Sequence, residues 1–267
     1  MTDSTRLQLV GAGQMGRALL GGILGSEWCT PNEVRIVETF APAHDSIAAA
    51  FPGVEIAAVP GPADGTVIAV KPADTEAVAA AVARAGGGTV LSVAAGVSIQ
   101  QLETAVGPGV AVVRCMPNTP ALVGEGASAI CAGTSADHST LDWAEELLSS
   151  VGIVVRIDES AIDAVTGLSG SGPAYVFLIA EALIEAGVLA GLPRPTSEAL
   201  AIQTLVGSAT LLRDDPRSAA ELRAAVTSPG GTTAAGLRVL EHRGVRAALL
   251  DAVIGARDRS IAMSDRS

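Results

Sequence analysis

The chain has 267 residues and a formal net charge of −11, and its composition is 49% hydrophobic but only 2% aromatic. That length supports two modest domains with real cores, built from Ala, Val, Leu and Ile, whose small side chains allow close helix packing. The negative charge runs through the chain without a basic stretch, which excludes the electrostatic footprint of a nucleic-acid binder.

At the N-terminus Asp3 precedes a glycine-rich apolar stretch with no basic leader or cleavage site, so the segment reads as a first strand, not a secretory signal. From Leu7 to about Ile157 short β-type runs alternate with alanine-rich helical stretches, the pattern of a mainly parallel sheet covered by helices. The runs are Leu7–Val10, Val34–Glu38, Val54–Ala57, Val67–Val70, Val90–Val93, Val110–Arg114, Ala127–Cys131 and Ile153–Ile157. Between them, Gln14–Leu24, Asp74–Arg84 and Ala136–Ser149 read as helices. After Asp158-Glu159-Ser160 the β pattern stops. The remainder reads as about five helices, broken at Gly170–Pro173, Gly191–Pro195, Asp214–Pro216 and Ser228–Gly231. The expected organisation is therefore an α/β domain over 1–159 and an all-helical domain over 160–267.

Ala174–Leu192 is long and apolar enough to raise the question of a membrane span, but Glu181 and Glu185 lie inside it, at a heavy cost in lipid. It reads as a helix buried in protein. A helix apolar on nearly every side is covered most simply by a homo-oligomer of interlocked helical domains, with a self-contained bundle as the alternative. Cys29, Cys115 and Cys131 form no C-x-x-C pair, consistent with a reduced, cytoplasmic setting.

The first strand runs directly into Gly11-Ala12-Gly13-Gln14-Met15-Gly16 and then a helix. In that context G-x-G-x-x-G predicts a dinucleotide site: Gly11 for the tight turn, Gly13 for close approach of the pyrophosphate, Gly16 for packing of helix on strand. The helix adds unpaired N–H groups and the positive end of its dipole. Glu38 closes the second strand, roughly 20 residues beyond the loop, where an acid reads the ribose. Taken alone, Glu38 with Thr39 favours a free 2′-hydroxyl and hence NAD, and no Arg or Lys follows within Thr39–Asp45. Open α/β sheets bind ligands at the carboxyl ends of their strands. Here those ends are Ala69-Val70-Lys71-Pro72, Val93-Ala94-Ala95-Gly96 and Arg114–Pro120. Lys71 faces pyrophosphate or solvent. Asn118 either bonds the nicotinamide amide or closes its own turn. Arg114 reads as a structural ion-pair partner.

Thr227-Ser228-Pro229-Gly230-Gly231-Thr232-Thr233 leads into another helical run. Its glycines let bare backbone approach a ligand, and the N–H groups at Gly231, Thr232 and Thr233 make a carboxylate receptor that needs no basic side chain. The stretch Thr166–Pro173 is either a flexible wall of the same pocket or a close helix-crossing device. His44, His138 and His242 are scattered outside every motif and read as surface histidines; no metal cluster is expected. A reductase without a titratable acid suits a substrate that is already a protonated iminium, because hydride addition then needs mainly positioning.

Taken together, GAGQMG at 11–16, AVKP at 69–72, RCMPNTP at 114–120, DAVTGLSGSGPAY at 163–175 and VTSPGGTTAAGL at 226–237 resemble the pyrroline-5-carboxylate reductase family, in the family's order and over nearly the full chain. The resemblance implies an N-terminal Rossmann-type, doubly wound sheet and a C-terminal all-helical dimerisation domain. It implies a homodimer that can assemble into a larger ring such as a decamer, and reduction of 1-pyrroline-5-carboxylate to L-proline with NADPH or NADH. It further implies that the backbone of Gly231, Thr232 and Thr233 binds the substrate carboxylate, that Thr233 bonds the ring nitrogen as the catalytic hydroxyl, and that Ser228 and Gly230 line the pocket. The cofactor would be held by Gly11, Ala12, Gly13, Gln14, Met15, Gly16, Glu38, Thr39, Ala69, Val70, Lys71, Pro72, Ala94, Ala95, Gly96 and Asn118. Glu38-Thr39 departs from many relatives, in which the residue there welcomes a 2′-phosphate. A β-hydroxyacid dehydrogenase would carry a catalytic Lys in its helical half, and residues 160–267 contain none. A non-catalytic NAD(P)-binding regulator would have no use for the TSPGGTT turn. Another imine reductase remains the nearest alternative.

Overall fold

The computed structural model describes residues 5–264, so Asp3 lies outside the described residues. Strands β1 (Leu7–Val10), β2 (Val34–Val37), β3 (Glu55–Ala57), β4 (Gly65–Ile68), β5 (Thr89–Ser92), β6 (Val112–Met116), β7 (Gly126–Ala132) and β8 (Gly152–Arg156) form one sheet. Their order is β3-β2-β1-β4-β5-β6-β7-β8. Every pairing is parallel except β6 with β7. All eight expected runs are strands, shifted by at most two residues at their ends. The order reverses direction at β1, and the crevice between β1 and β4 is the switch point at which such sheets bind ligands.

Helices α1 (Gln14–Gly25), α2 (His44–Ala50), α3 (Pro72–Arg84), α4 (Ile99–Val106) and α5 (His138–Ser149) connect the strands. Because helices cover both faces, the central strands are buried on both sides; all four residues of β1 are buried, as are all four of β4. That double burial explains why the strands read as continuous apolar runs and not as alternating ones. Two large apolar clusters result, one including Leu9, Leu19, Ile23, Ile36 and Leu147, the other Val10, Ile68, Val82 and Leu102, with a small third at Ile99, Cys131 and Ile162. A polar side chain inside such a sheet must find partners. Gln8, fully buried, donates to Thr66 Oγ1 at 3.1 Å and accepts the Gly61 N–H at 2.9 Å.

The chain divides into two compact units, one running to Ser171 and resuming at Gly255, the other being Gly172–Ile254. This division falls later than the change of pattern at 158–160. At the end of the first unit α6 (Ile162–Val165) passes into a π-helical turn at Thr166–Gly170. The stretch read as a pocket wall or a helix-crossing device is a wide helical turn, closed by the Ser171 N–H on Thr166 O at 2.8 Å. A Cβ on Gly170 would stand 2.6 Å from Met116 Cε, so the glycine here permits a close crossing. The first unit also takes in the later part of α11 (Val245–Ser264), where Ser260 Oγ donates to Asp163 Oδ1 at 2.6 Å.

The second unit holds α7 (Gly172–Leu189), α8 (Arg194–Asp214), α9 (Ala219–Ala225), α10 (Thr232–His242) and the start of α11. Gly191, at φ +102°, lies in the loop after α7, and α8 then packs back along that helix. Buried Ser197 donates to Ile184 O at 2.7 Å across that contact, and no Cβ at Gly187 could be accommodated beside it. The self-contained bundle, the alternative cover for 174–192, is not what a single chain forms: no residue of α7 is buried. Phe177 is 63% exposed and Leu178 65%. The 18-residue helix has one main helical neighbour in its own unit, α8, which cannot cover an apolar surface present on every side. By length and composition the helical stretch Glu159–Leu189 could cross a membrane, but it carries Glu181 and Glu185, and Glu185 pairs with Arg194.

Candidate active site

The glycine loop sits at the switch point. Gly11 has φ +94°, a conformation open to glycine and costly to other residues, and a Cβ there would meet Ala69 O at 2.7 Å. Gly16 lies so close to Gly11 O that no side chain fits. Gly13, in contrast, faces open space, with nothing within 4 Å of the position a Cβ would take. It is the N-cap of α1, without a side-chain cap and without an acidic residue in the first turn. The first intrahelical bond runs from the Arg17 N–H to Gly13 O at 2.9 Å, so the N–H groups of Gln14, Met15 and Gly16 have no intrahelical partner. Open space above Gly13 in front of uncapped N–H groups is a cradle for a diphosphate, and the loop fits the cofactor that the motif predicts.

Beside the loop lies a cavity of about 420 Å³. Its walls are apolar, with Val37, Ala58, Pro60, Val78 and Ala81 among them, and its rim carries Glu38, Thr39 and Asp74. Glu38 Oε2 accepts the Ala12 N–H at 3.1 Å and Oε1 accepts the Phe40 N–H at 2.9 Å. The expected ribose-reading acid is therefore held by backbone donors on both oxygens. Arg17 donates to Ala12 O at 2.9 Å and to Ser46 Oγ at 2.7 Å. His44, expected at the surface, is half-buried, and its Nε2 lies 2.8 Å from Glu38 O; His138 and His242 are exposed. Arg17, His44 and Asp74 belong to no motif because they come from three helices; the loop and β2 alone carry a recognisable signal.

Lys71 is exposed and forms the N-cap of α3, with Pro72 at the first helical position. Ala94, buried, Ala95 and Gly96, at φ +75°, follow β5. Asn118 has its side chain engaged: Nδ2 donates to Ser169 O at 3.1 Å, and Oδ1 accepts the Ala127 N–H at 2.9 Å. It ties the loop after β6 to β7 and to the π-helical turn, a wider reach than closing its own turn. Arg114 is buried and paired with Glu159, as its reading as a structural ion-pair partner expects.

In the second unit, Gly230 at φ +69° turns the chain into α10, whose N-cap is Gly231. One expected donor is already used, since the Gly231 N–H closes the turn on Ser228 O at 3.0 Å. The first intrahelical bond is Ala235 N–H to Gly231 O at 3.2 Å, and no side chain caps the helix. That leaves the N–H groups of Thr232, Thr233 and Ala234 as the free anion donors. The Ser228 hydroxyl occupies the space that a Cβ on Gly231 would need. Among the described residues no group of His, Cys, Asp or Glu is arranged to hold a metal.

Residues 159–263 match the family model described as pyrroline-5-carboxylate reductase dimerisation, and residues 6–96 match one described as NADP oxidoreductase, coenzyme F420-dependent. A pyrroline-5-carboxylate reductase from Synechocystis sp. is 40% identical over 265 residues, covering 96% of this chain and 97% of the relative. The solved pyrroline-5-carboxylate reductase of Coxiella burnetii superposes with a TM-score of 0.92 at 33% identity, covering 98% of this chain and 99% of that one. The pyrroline carboxylate reductase of Plasmodium falciparum, solved with NADP bound, gives 0.83 at 30% identity, with 99% and 100% covered.

Proposed function

The chain belongs to the pyrroline-5-carboxylate reductase family, and from that membership we propose that it reduces 1-pyrroline-5-carboxylate to L-proline, with the glycine loop taking the dinucleotide and α10 the substrate carboxylate. The observation that carries the substrate reading is the uncapped start of α10, where Thr232, Thr233 and Ala234 offer N–H donors and the positive end of a helix dipole without any cationic side chain. An acidic protein can thereby hold an anion by backbone alone. A bound nicotinamide supplies the hydride. The chain's own part is to orient and desolvate. Ser228 and Gly230 shape the wall beside the carboxylate. The Thr233 hydroxyl meets the ring nitrogen, holding its proton in place while the iminium carbon accepts hydride and the nitrogen becomes a secondary amine. Met15, Ala69, Val70, Ala94, Ala95 and Gly96 pack the dinucleotide, Lys71 lies near its phosphates, and Asn118 fixes the loop after β6.

The exposed apolar faces of α7 and α8 favour a homodimer, and assembly into a ring such as a decamer remains part of this proposal. The same faces, interrupted by Glu181 and Glu185, serve protein contact and no membrane, in a cytoplasmic enzyme without a nucleic-acid partner.

The direct test is substrate-dependent oxidation of NADPH and NADH with 1-pyrroline-5-carboxylate, with L-proline identified as the product. Oxidation with other cyclic imines but not with this one would move the reading to another imine reductase.

A further inference from the structure

We infer that the adenosine side of this site selects a dinucleotide with a free 2′-hydroxyl, so that NADH is the preferred reductant over NADPH. The inference rests on the dinucleotide reading of the glycine loop and adds a choice which family membership leaves open.

Three observations carry it. First, the cavity beside Gly11 has apolar walls suited to adenine, and its polar rim is formed by Glu38, Thr39 and Asp74. Second, Glu38 is not free to swing away. Each of its oxygens accepts a backbone N–H, from Ala12 and from Phe40, so the carboxylate is anchored at the strand end where the ribose is read. A 2′-hydroxyl can donate to that fixed acceptor; a 2′-phosphate has no proton to donate when ionised and brings like charge to it. Third, no compensating cation reaches the cavity: among the described residues lining it there is no Lys, Arg or His. Arg17, a basic residue on α1, is engaged with Ala12 O and Ser46 Oγ. Asp74 comes from α3, across the switch point, and adds a second negative charge that the motif alone does not reveal.

The test is equilibrium binding by titration calorimetry with the purified oligomer, using NADH, NADPH and the fragments 5′-AMP and 2′,5′-ADP, which isolate the 2′-phosphate from the nicotinamide half. The wild-type protein is expected to bind NADH more tightly than NADPH by about tenfold or more, the scale of like charges a few ångströms apart at a protein surface. The fragments should fall in the same order. Glu38→Gln should narrow the ratio by raising NADPH affinity, and Asp74→Asn, which leaves the loop's hydrogen bonds in place, should narrow it less. NADPH binding as tightly as NADH in the wild-type protein would overturn the inference, as would a ratio unchanged in both variants. Failure of both dinucleotides to bind would remove the reading beneath it.

Discussion

Glu159 Oε1 accepts two hydrogen bonds at 2.7 Å, one from Arg114 Nη1 on β6 and one from the Ile99 N–H at the start of α4. A single carboxylate oxygen thus neutralises a buried guanidinium and caps a helix dipole. Arg114 has a side chain 8% exposed, whereas that of Glu159 is 35% exposed, so the pair is only partly screened.

Glu159→Gln should therefore destabilise the first unit by about 2 kcal/mol, below the usual cost of orphaning a fully buried charge because water still reaches this one. Denaturant unfolding followed by tryptophan emission reads that unit directly, since Trp28 and Trp143 both lie in it. A midpoint equal to wild type would show that Arg114 does not depend on this partner.

The glycines of the loop divide into two kinds. Gly13→Ala should leave stability within about 1 kcal/mol of wild type, since Gly13 has φ −69° and its Cβ meets nothing. The same methyl fills the diphosphate cradle, so NADH affinity should fall about tenfold or more. Gly16→Ala should cost about 2 kcal/mol of stability as well, because its methyl is forced against Gly11 O. Equal melting temperatures for the two variants would refute the distinction.

Thr233→Ala should lower kcat by about a hundredfold, the ordinary scale for a positioned proton-handling group. The fold should survive, because Thr233 is in the first turn of α10 and Ala is a good helix former. Thr233→Ser should restore most of the rate. A steady-state comparison that found kcat unchanged and only KM raised would confine Thr233 to binding.

Burial pushes the Cys29 thiol up to about 11 and that of Cys131 to about 12, and it raises Cys115 as well. The folded chain keeps protons that the unfolded chain releases near the ordinary thiol value of 9.0. Stability must then fall as pH rises from about 9 through 11 to 12. Denaturation midpoints measured across that range should drop, and should drop less in Cys29→Ala. At neutral pH a thiol reagent should find none of the three until the protein unfolds; rapid reaction in the native state would contradict their burial.

The sheet is legible in the sequence because its strands are buried on both faces and separated by glycine, proline and helical stretches; Leu7–Val10 can be bounded to the residue. What escapes a sequence reading depends on backbone geometry or on distant segments. Glu38 is readable as the acid after β2, but its bonds to Ala12 and Phe40 exist only once loop and strand meet. Asp74 shares a cavity rim with Glu38 because parallel crossovers bring α3 and β2 to the same crevice, a neighbourhood invisible in local spacing. The i→i+5 turn at Thr166–Gly170 has the composition of a link, since glycine signals both. At Gly231 the spacing shows a donor but not that Ser228 O takes it. The exposure of α7 is hidden for a related reason: its apolarity announces a covering surface, and that surface is not supplied by its own unit.

The hydrogen bond from Ser260 to Asp163 joins residues separated by the whole of Gly172–Ile254. On a ribosome, Asp163 and the sheet emerge well before their last partner, and the helical unit is extruded between them. The first unit can gather its strands early, yet its closure waits for the far side of the insert. Synthesis order thus places this bond late: a nascent chain halted within the helices of the second unit holds Asp163 without Ser260, and the pair can form only once the later turns of α11 have been made.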